Sequence, residues 1–121
     1  MILINYRDQR PIYEQIVERF KELIFKGVLE PDTQLPSVRN LAIELSINPN
    51  TIQRAYTELE HQGYIYSVKG KGSFVAESKQ LKLEKQKELL LDFWKLIEAA
   101  RAIGITTEQM SKILHEGFGE D

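Results

Sequence analysis

Two short amphipathic helices, joined by a turn of a few residues, are the feature that most restricts the fold of this chain. Ser37 is a favoured N-cap for the first helix, which should end near Ser46. Asn48 is a favoured N-cap for the second helix, Pro49 suits its first helical position, and Gly63 supplies a C-terminal stop. The first helix directs inward Val38, Leu41, Ala42 and Leu45. Because Asn48 follows Ser46 by only two residues, the second helix begins almost at once after the first.

The second helix has two faces of opposite character. Its apolar face, at spacings of three and four residues, consists of Ile52, Ala55, Tyr56 and Leu59. A different face has the same spacing and is wholly polar, with Asn50, Gln53, Arg54 and Thr57. Two helices joined by so short a turn, the second with a full face of hydrogen-bonding side chains, match the helix-turn-helix unit.

The segments on either side of this unit complete a small domain. A first helix is predicted over residues 11–26, and residues 34–35 are too few to be more than a sheet-edge fragment. Residues 64–68 and 73–76 are β-prone, and they are separated by Lys69, Gly70, Lys71 and Gly72. A β-hairpin directly after a helix-turn-helix is a wing. The predicted fold is mainly α with a small β-hairpin, a winged helix-turn-helix followed by a C-terminal helical hairpin.

Helical character returns beyond a Lys-rich polar stretch at residues 78–87. A broad apolar stripe predicts a helix that ends before Gly104, and Thr106 to Gln109 fit the capping box of a last helix. This helical hairpin is smaller than a lone core normally needs, so it requires a partner surface. The alternative, in which the apolar stripe lines a ligand pocket, is less favoured. We expect residues 1–76 to form the DNA-binding part and residues 77–121 a homodimerisation element, with an interface formed by Leu90, Phe93, Trp94, Ile97, Met110, Ile113 and Leu114.

Several segments resemble the GntR family of bacterial regulators, in the right order and at compatible spacings. They are Leu35–Ala42 (LPSVRNLA), Asn48–Tyr56 (NPNTIQRAY) and Gly70–Val75 (GKGSFV), while Pro11–Ile16 is similar to the opening of the family's first helix. Within the family, the short helical tail and the Asn-Pro-Asn-Thr turn resemble the YtrA branch. The resemblance implies a transcriptional regulator that binds double-stranded DNA through a winged helix-turn-helix.

The resemblance also indicates which residues meet DNA. Asn50, Thr51 and Arg54 are expected in the major groove, because arginine pairs bidentately with guanine and asparagine with adenine. These roles have alternatives that involve no DNA. Capping alone also explains Ser37 and Asn48, and a hairpin turn kept soluble by its charge also explains the lysines of the wing. Pro49 stands where many members carry arginine, so their base contacts do not transfer. The expected contacts are Ser37, Arg39, Asn48, Asn50, Thr51, Gln53, Arg54, Lys69, Gly70, Lys71 and Gly72.

The family resemblance implies further properties. A homodimer is expected to bind a palindromic operator, since two recognition helices on one two-fold site couple their binding. Repression of a nearby operon, often one for membrane transport in this branch, is a family-level expectation. Larger members carry separate effector domains, for which this chain has no room. An unidentified small-molecule effector would have to bind at the dimer interface or between the two parts.

Composition narrows the function classes. The absence of cysteine excludes disulfides and thiolate metal sites, and the two histidines lack clustered ligands, so no metal or cofactor is expected. The N-terminus lacks a signal-peptide core and no apolar run approaches a membrane span, which predicts a cytoplasmic protein without membrane contact. The Gly-Lys-Gly-Ser tract lacks the upstream glycine of a Walker A loop, and the carboxylates are scattered. No catalytic residue is predicted, and we expect no enzyme.

Net charge does not favour nucleic-acid binding. The formal charge is −2 and the isoelectric point is near 5.8, and basic and acidic residues nearly balance in both parts of the chain. DNA binding must therefore depend on the local placement of charge and on helix N-termini that face phosphate. The alternative hypothesis is a winged helix that docks a partner protein and does not bind DNA directly.

Overall fold

A computed structural model describes residues 2–119, which divide into two compact units at residues 79 and 80. The described residues contain five α-helices and one two-stranded antiparallel sheet. In chain order the elements are α1 (Ile12–Phe25), α2 (Val38–Leu45), α3 (Pro49–His61), β1 (Ile65–Val68), β2 (Gly72–Val75), α4 (Lys79–Ala102) and α5 (Thr107–Glu116). This order is a winged helix-turn-helix followed by two helices, which confirms the predicted fold class.

The core of the first unit lies where α1 and α2 pack against α3. Its fully buried side chains come from all three helices and from β2, and the largest are Phe20, Ile16, Leu41, Ile52, Leu59 and Val75. The ring of Phe20 in α1 meets the ring of Tyr56 in α3 edge-to-face, with centroids 5.8 Å apart. The predicted apolar faces of α1 and α3 therefore meet each other, which leaves the polar face of α3 outside the core.

The turn between α2 and α3 is made by three residues. Ser46 ends α2 in the left-handed region, with φ 55° and ψ 46°. The amide of Ile47 then donates to the carbonyl of Ala42 at 2.9 Å, which closes the end of α2. Asn48 follows as the N-cap of α3, with Pro49 in the first turn as predicted. This geometry fixes the angle at which the second helix leaves the first.

The sheet forms the predicted wing. Ile65 pairs with Val75, and Val68 pairs with Gly72 next to the turn. Gln34 forms an isolated bridge with Phe74, so the short segment before α2 is the sheet-edge fragment that the sequence predicts. The hairpin is thereby attached to the strand-like segment that leads into α2.

The second unit consists of α4 and α5. The polar stretch at residues 78–87 is helical from Lys79 onward, so the first turns of α4 replace any loop there. Thr106 and Gln109 form the expected capping box at the start of α5. No side chain of α4 or α5 is buried. Among residues 2–119, none of the helices combines the length and apolar character that crossing a membrane requires.

Candidate nucleic-acid interface

The N-terminus of α2 is held in place by a long-range hydrogen bond. Ser37 caps the helix, because its Oγ accepts from the amide of Asn40 at 3.0 Å. The residue before it, Pro36, accepts at its carbonyl from the hydroxyl of Tyr56 at 2.7 Å. Burial, with a smaller contribution from Glu44, raises the pKa of the Tyr56 phenol well above its ordinary value. Tyr56 therefore stays neutral and ties α3 to the start of α2.

Polar side chains line the start of α3 as expected. Asn48 caps the helix through its Oδ1, which accepts from the amide of Asn50 at 2.8 Å. Asn50 and Gln53 are exposed and Thr51 is half-buried, and the Gln53 amide donates to the Thr57 hydroxyl at 3.3 Å. The caps use acceptor atoms, so the hydroxyl hydrogen of Ser37 and the amide hydrogens of Asn48 are left to donate. Capping and phosphate contact are thus compatible for both residues.

Arg54 is placed differently from a freely solvated arginine. The central carbon of its guanidinium lies over the ring of Tyr13 in α1, 3.8 Å from the ring centroid. The side chain remains exposed. The spacing of residues in α3 places Arg54 on the polar face of the helix, but it contains no information about which residue of α1 lies beside it.

The wing turn is held by Gln34, which was predicted only as part of a sheet-edge fragment. The Nε2 of Gln34 donates to the carbonyl of Lys71 at 2.7 Å. Gly72 has φ of +120°, and a Cβ at this position would lie 3.0 Å from the same Nε2. Gly70 has φ of +79°, which glycine adopts at little cost. The exposed Lys69 and Lys71 are therefore displayed on a turn whose backbone is tied to the segment before α2.

Charge is distributed unevenly over the first unit. The basic residues of α1 face glutamates, and hydrogen bonds from Lys26 and Arg19 hold the pKa of Glu22 below its usual value. The ion pairs of α1 and of its C-cap residue Lys26 are Arg19–Glu22 at 3.2 Å, Lys21–Glu18 at 3.5 Å and Lys26–Glu22 at 2.9 Å. By contrast, four basic residues make no ion pair with any residue between 2 and 119, namely Arg39, Arg54, Lys69 and Lys71. Within the described part of the chain, the cations of α2, α3 and the wing are thus unneutralised, as are Arg7 and Lys79 elsewhere in the first unit, and the net charge conceals this distribution.

The residues expected at a dimer interface lie in the second unit, and the structure brings only some of them together. An apolar groove of about 470 Å³ between α4 and α5 is lined by Phe93, Leu96, Ile97, Ala100, Ile105, Met110, Ile113 and Leu114. Leu90 and Trp94, which are 66% and 51% exposed, do not line this groove. The guanidinium of Arg101 lies 5.9 Å from the centroid of the Trp94 ring. The predicted set is therefore divided between a groove and a second exposed surface of α4.

Comparisons with known proteins agree with this arrangement. The model of the family "Bacterial regulatory proteins, gntR family" matches residues 12–75. The HTH-type transcriptional repressor YtrA of Bacillus subtilis is 38% identical over 118 residues, which cover 96% of this chain and 91% of the relative. The crystal structure of a transcriptional regulator from Oenococcus oeni has a TM-score of 0.77 at 36% identity, and the match covers 98% of this chain and 100% of that one.

A further solved structure contains DNA. The crystal structure of AraR(DBD) in complex with operator ORE1 has a TM-score of 0.54 at 32% identity, and covers 63% of this chain and 95% of that one. The family and these relatives are regulators of transcription and not enzymes. From its helix-turn-helix, its wing and these matches, the chain belongs to the GntR family of DNA-binding bacterial regulatory proteins.

Proposed function

We propose that this protein is a repressor that binds a palindromic operator as a homodimer. The observation that carries the proposal is the set of unneutralised cations on α2, α3 and the wing. Phosphate neutralisation supplies most of the non-specific affinity of a protein for DNA, so cations without carboxylate partners are the ones available for it. Base recognition is assigned to Asn50, Thr51, Gln53 and Arg54, and phosphate contact to Ser37, Arg39, Asn48, Lys69, Lys71 and the backbone of Gly70 and Gly72.

Salt dependence tests the electrostatic part of this proposal. If all four cations of both protomers meet the DNA, the logarithm of the binding constant falls with the logarithm of salt concentration with a slope of about −7. Lys69→Ala removes one cation per protomer and should reduce the slope by about 2 in the dimer. Lys26→Ala is the matched control, because Lys26 is paired with Glu22. Binding to promoter duplexes that does not respond to salt would refute DNA binding through these cations.

The second unit supports the homodimer. Helices α4 and α5 bury no side chain, and their groove exposes apolar surface that a lone helical pair of this size does not tolerate. A second copy of the chain is the proposed occupant, since a two-fold dimer covers the same surface on both protomers and matches a palindromic site. A small-molecule effector in the groove is the competing occupant.

Light scattering distinguishes these occupants. We expect a dimer at micromolar concentration, which Ile113→Glu in the groove and Trp94→Glu outside it convert to monomers. Lys95→Glu, at an exposed polar position of the same helix, should leave the dimer intact. A monomeric wild-type protein would contradict the homodimer. If Ile113→Glu does not weaken the dimer, the groove is not the dimer interface, and a small-molecule effector becomes its proposed occupant.

The proposal extends to the regulated genes. The relative YtrA is named a transcriptional repressor, which supports repression. A neighbouring operon for membrane transport is the proposed target on the family resemblance alone. Deleting the gene should raise the transcripts of that operon several-fold. An unchanged transcript level would remove the transport assignment while leaving DNA binding intact.

One observation favours a second candidate function, a protein-interaction module. The net charge of −2 is unusual for a DNA-binding chain. In that case the polar face of α3 and the wing dock a partner protein, and Arg54→Ala leaves duplex binding unchanged. A salt-sensitive affinity for duplexes that Arg54→Ala weakens would exclude this candidate.

A further inference from the structure

The contact between Arg54 and Tyr13 links the recognition helix to α1. Tyr13 is half-buried in the second position of α1, and its ring lies beneath the guanidinium of Arg54. Another arginine–aromatic contact, Arg101 with Trp94, is much looser, at 5.9 Å against 3.8 Å. At 3.8 Å the guanidinium and the ring are in van der Waals contact, so the ring restricts where the guanidinium can lie.

The donors of Arg54 are left unused by this contact. A cation–π interaction engages the face of the guanidinium and leaves its five in-plane N–H donors free. Within residues 2–119 the guanidinium makes neither a hydrogen bond nor an ion pair, although Glu58 lies one turn further along α3. The carboxylate of Glu58 instead accepts from the Nε2 of Gln62 at 2.6 Å. Arg54 is thus held in place with its full donor set available.

We infer that Tyr13 is a positioning residue for DNA recognition, which orders Arg54 before the DNA arrives. This inference rests on the proposed function of Arg54. An arginine on a flexible stem loses rotamer freedom when it pairs with a base edge, and the ring of Tyr13 removes part of that freedom in the free protein. Without the ring, the guanidinium can swing to the carboxylate of Glu58 at i+4, which withdraws it from the DNA.

The test is a double-mutant cycle, measured by fluorescence anisotropy with the full chain and a duplex that the wild-type protein binds. Tyr13→Leu, which removes the ring and keeps apolar bulk, should weaken binding about 2- to 10-fold. Tyr13→Phe keeps the ring and should bind within about 2-fold of wild type. In the Arg54→Ala background, Tyr13→Leu should have no further effect, because the residue that Tyr13 positions is gone. Lys26→Ala, about 20 Å along α1 from Tyr13, is the control for an unrelated change on this helix.

The outcomes separate the inference from the function on which it rests. A wild-type protein that binds no duplex would refute both. Normal binding by Tyr13→Leu would refute the inference alone, as would a Tyr13→Leu loss that persists in full when Arg54 is alanine, since that loss would come from packing of α1. Equal losses for Tyr13→Phe and Tyr13→Leu would assign the effect to the hydroxyl and also refute it. If leucine unfolds the unit, Tyr13→Met repeats the cycle with a more adaptable side chain.

Discussion

Tyr56→Phe removes one hydroxyl from the helix-turn-helix and changes nothing else in its packing. The ring of Tyr56 is 4% exposed and rests edge-to-face on Phe20. Its hydroxyl donates to the carbonyl of Pro36 at 2.7 Å, in a partly buried position. Losing such a bond costs about 1 kcal/mol, and the stranded carbonyl adds to that cost. We therefore expect a free energy of unfolding lower by about 1.5 kcal/mol, and a Tm lower by about 6 to 12 °C in a unit of this size.

The assay must report on the first unit alone. All five tyrosines lie in residues 2–79, whereas the single tryptophan, Trp94, lies in the second unit. Near-ultraviolet circular dichroism of tyrosine during thermal unfolding therefore follows the helix-turn-helix, and Trp94 fluorescence serves as the internal reference. Tyr66→Phe is the matched control, because its hydroxyl bonds to Asp32 at 2.7 Å in an exposed position and should contribute less than about 0.5 kcal/mol.

A loss confined to Tyr56→Phe would support the bond between α3 and Pro36 as a structural tie. The same variant should bind operator DNA a few-fold more weakly, since the start of α2 is less firmly held. A Tyr56→Phe protein as stable as wild type, or one no less stable than Tyr66→Phe, would refute the burial argument, because water would then replace the hydroxyl at no cost.

Three further predictions concern the wing, the turn between α2 and α3, and the pH dependence of stability. Gly72→Ala should distort the wing and weaken DNA binding measured by anisotropy, because the φ of +120° is strained for alanine and the added Cβ meets the Gln34 amide. Gly70→Asn is the control: this position has a φ of +79° and open space around it, so the variant should bind DNA nearly as well as wild type. Ser46→Gly should raise the free energy of unfolding in urea by about 0.5 kcal/mol, since it relieves a left-handed non-glycine residue; a destabilised variant would contradict this. Because the folded pKa of Tyr56 is raised, stability should be fully present below about pH 10 and fall as pH rises further, and Tyr56→Phe should flatten this dependence.

Local chemistry made much of the fold predictable. The caps at Ser37, Asn48 and Thr106 require only a short polar side chain before a helix, and each forms the hydrogen bond expected of it. The glycine-rich connection at residues 69–72 indicated the wing because its residues tolerate positive φ. These rules act over a few residues, so the sequence contains them directly.

Contacts between distant residues were not predictable in the same way. The bond from Gln34 to Lys71 joins residues 37 positions apart, and periodicity does not specify such partners. The apolar residues of α4 that meet α5 were not predictable for a different reason. Apolar residues stand side by side at Leu89-Leu90-Leu91 and again at Phe93-Trp94, so the helix has no single apolar face. Which of them line the groove is decided by where α5 lies.

Selection of bound sequences from random DNA duplexes tests the proposed function most directly. We expect enrichment of two inverted half-sites whose centres lie about one helical turn, or a multiple of it, apart. Arg54→Ala should relax the preference at one position of each half-site, because only that base contact is lost. Failure to enrich any sequence above the starting pool, under conditions where the protein is folded, would contradict sequence-specific binding by this winged helix-turn-helix.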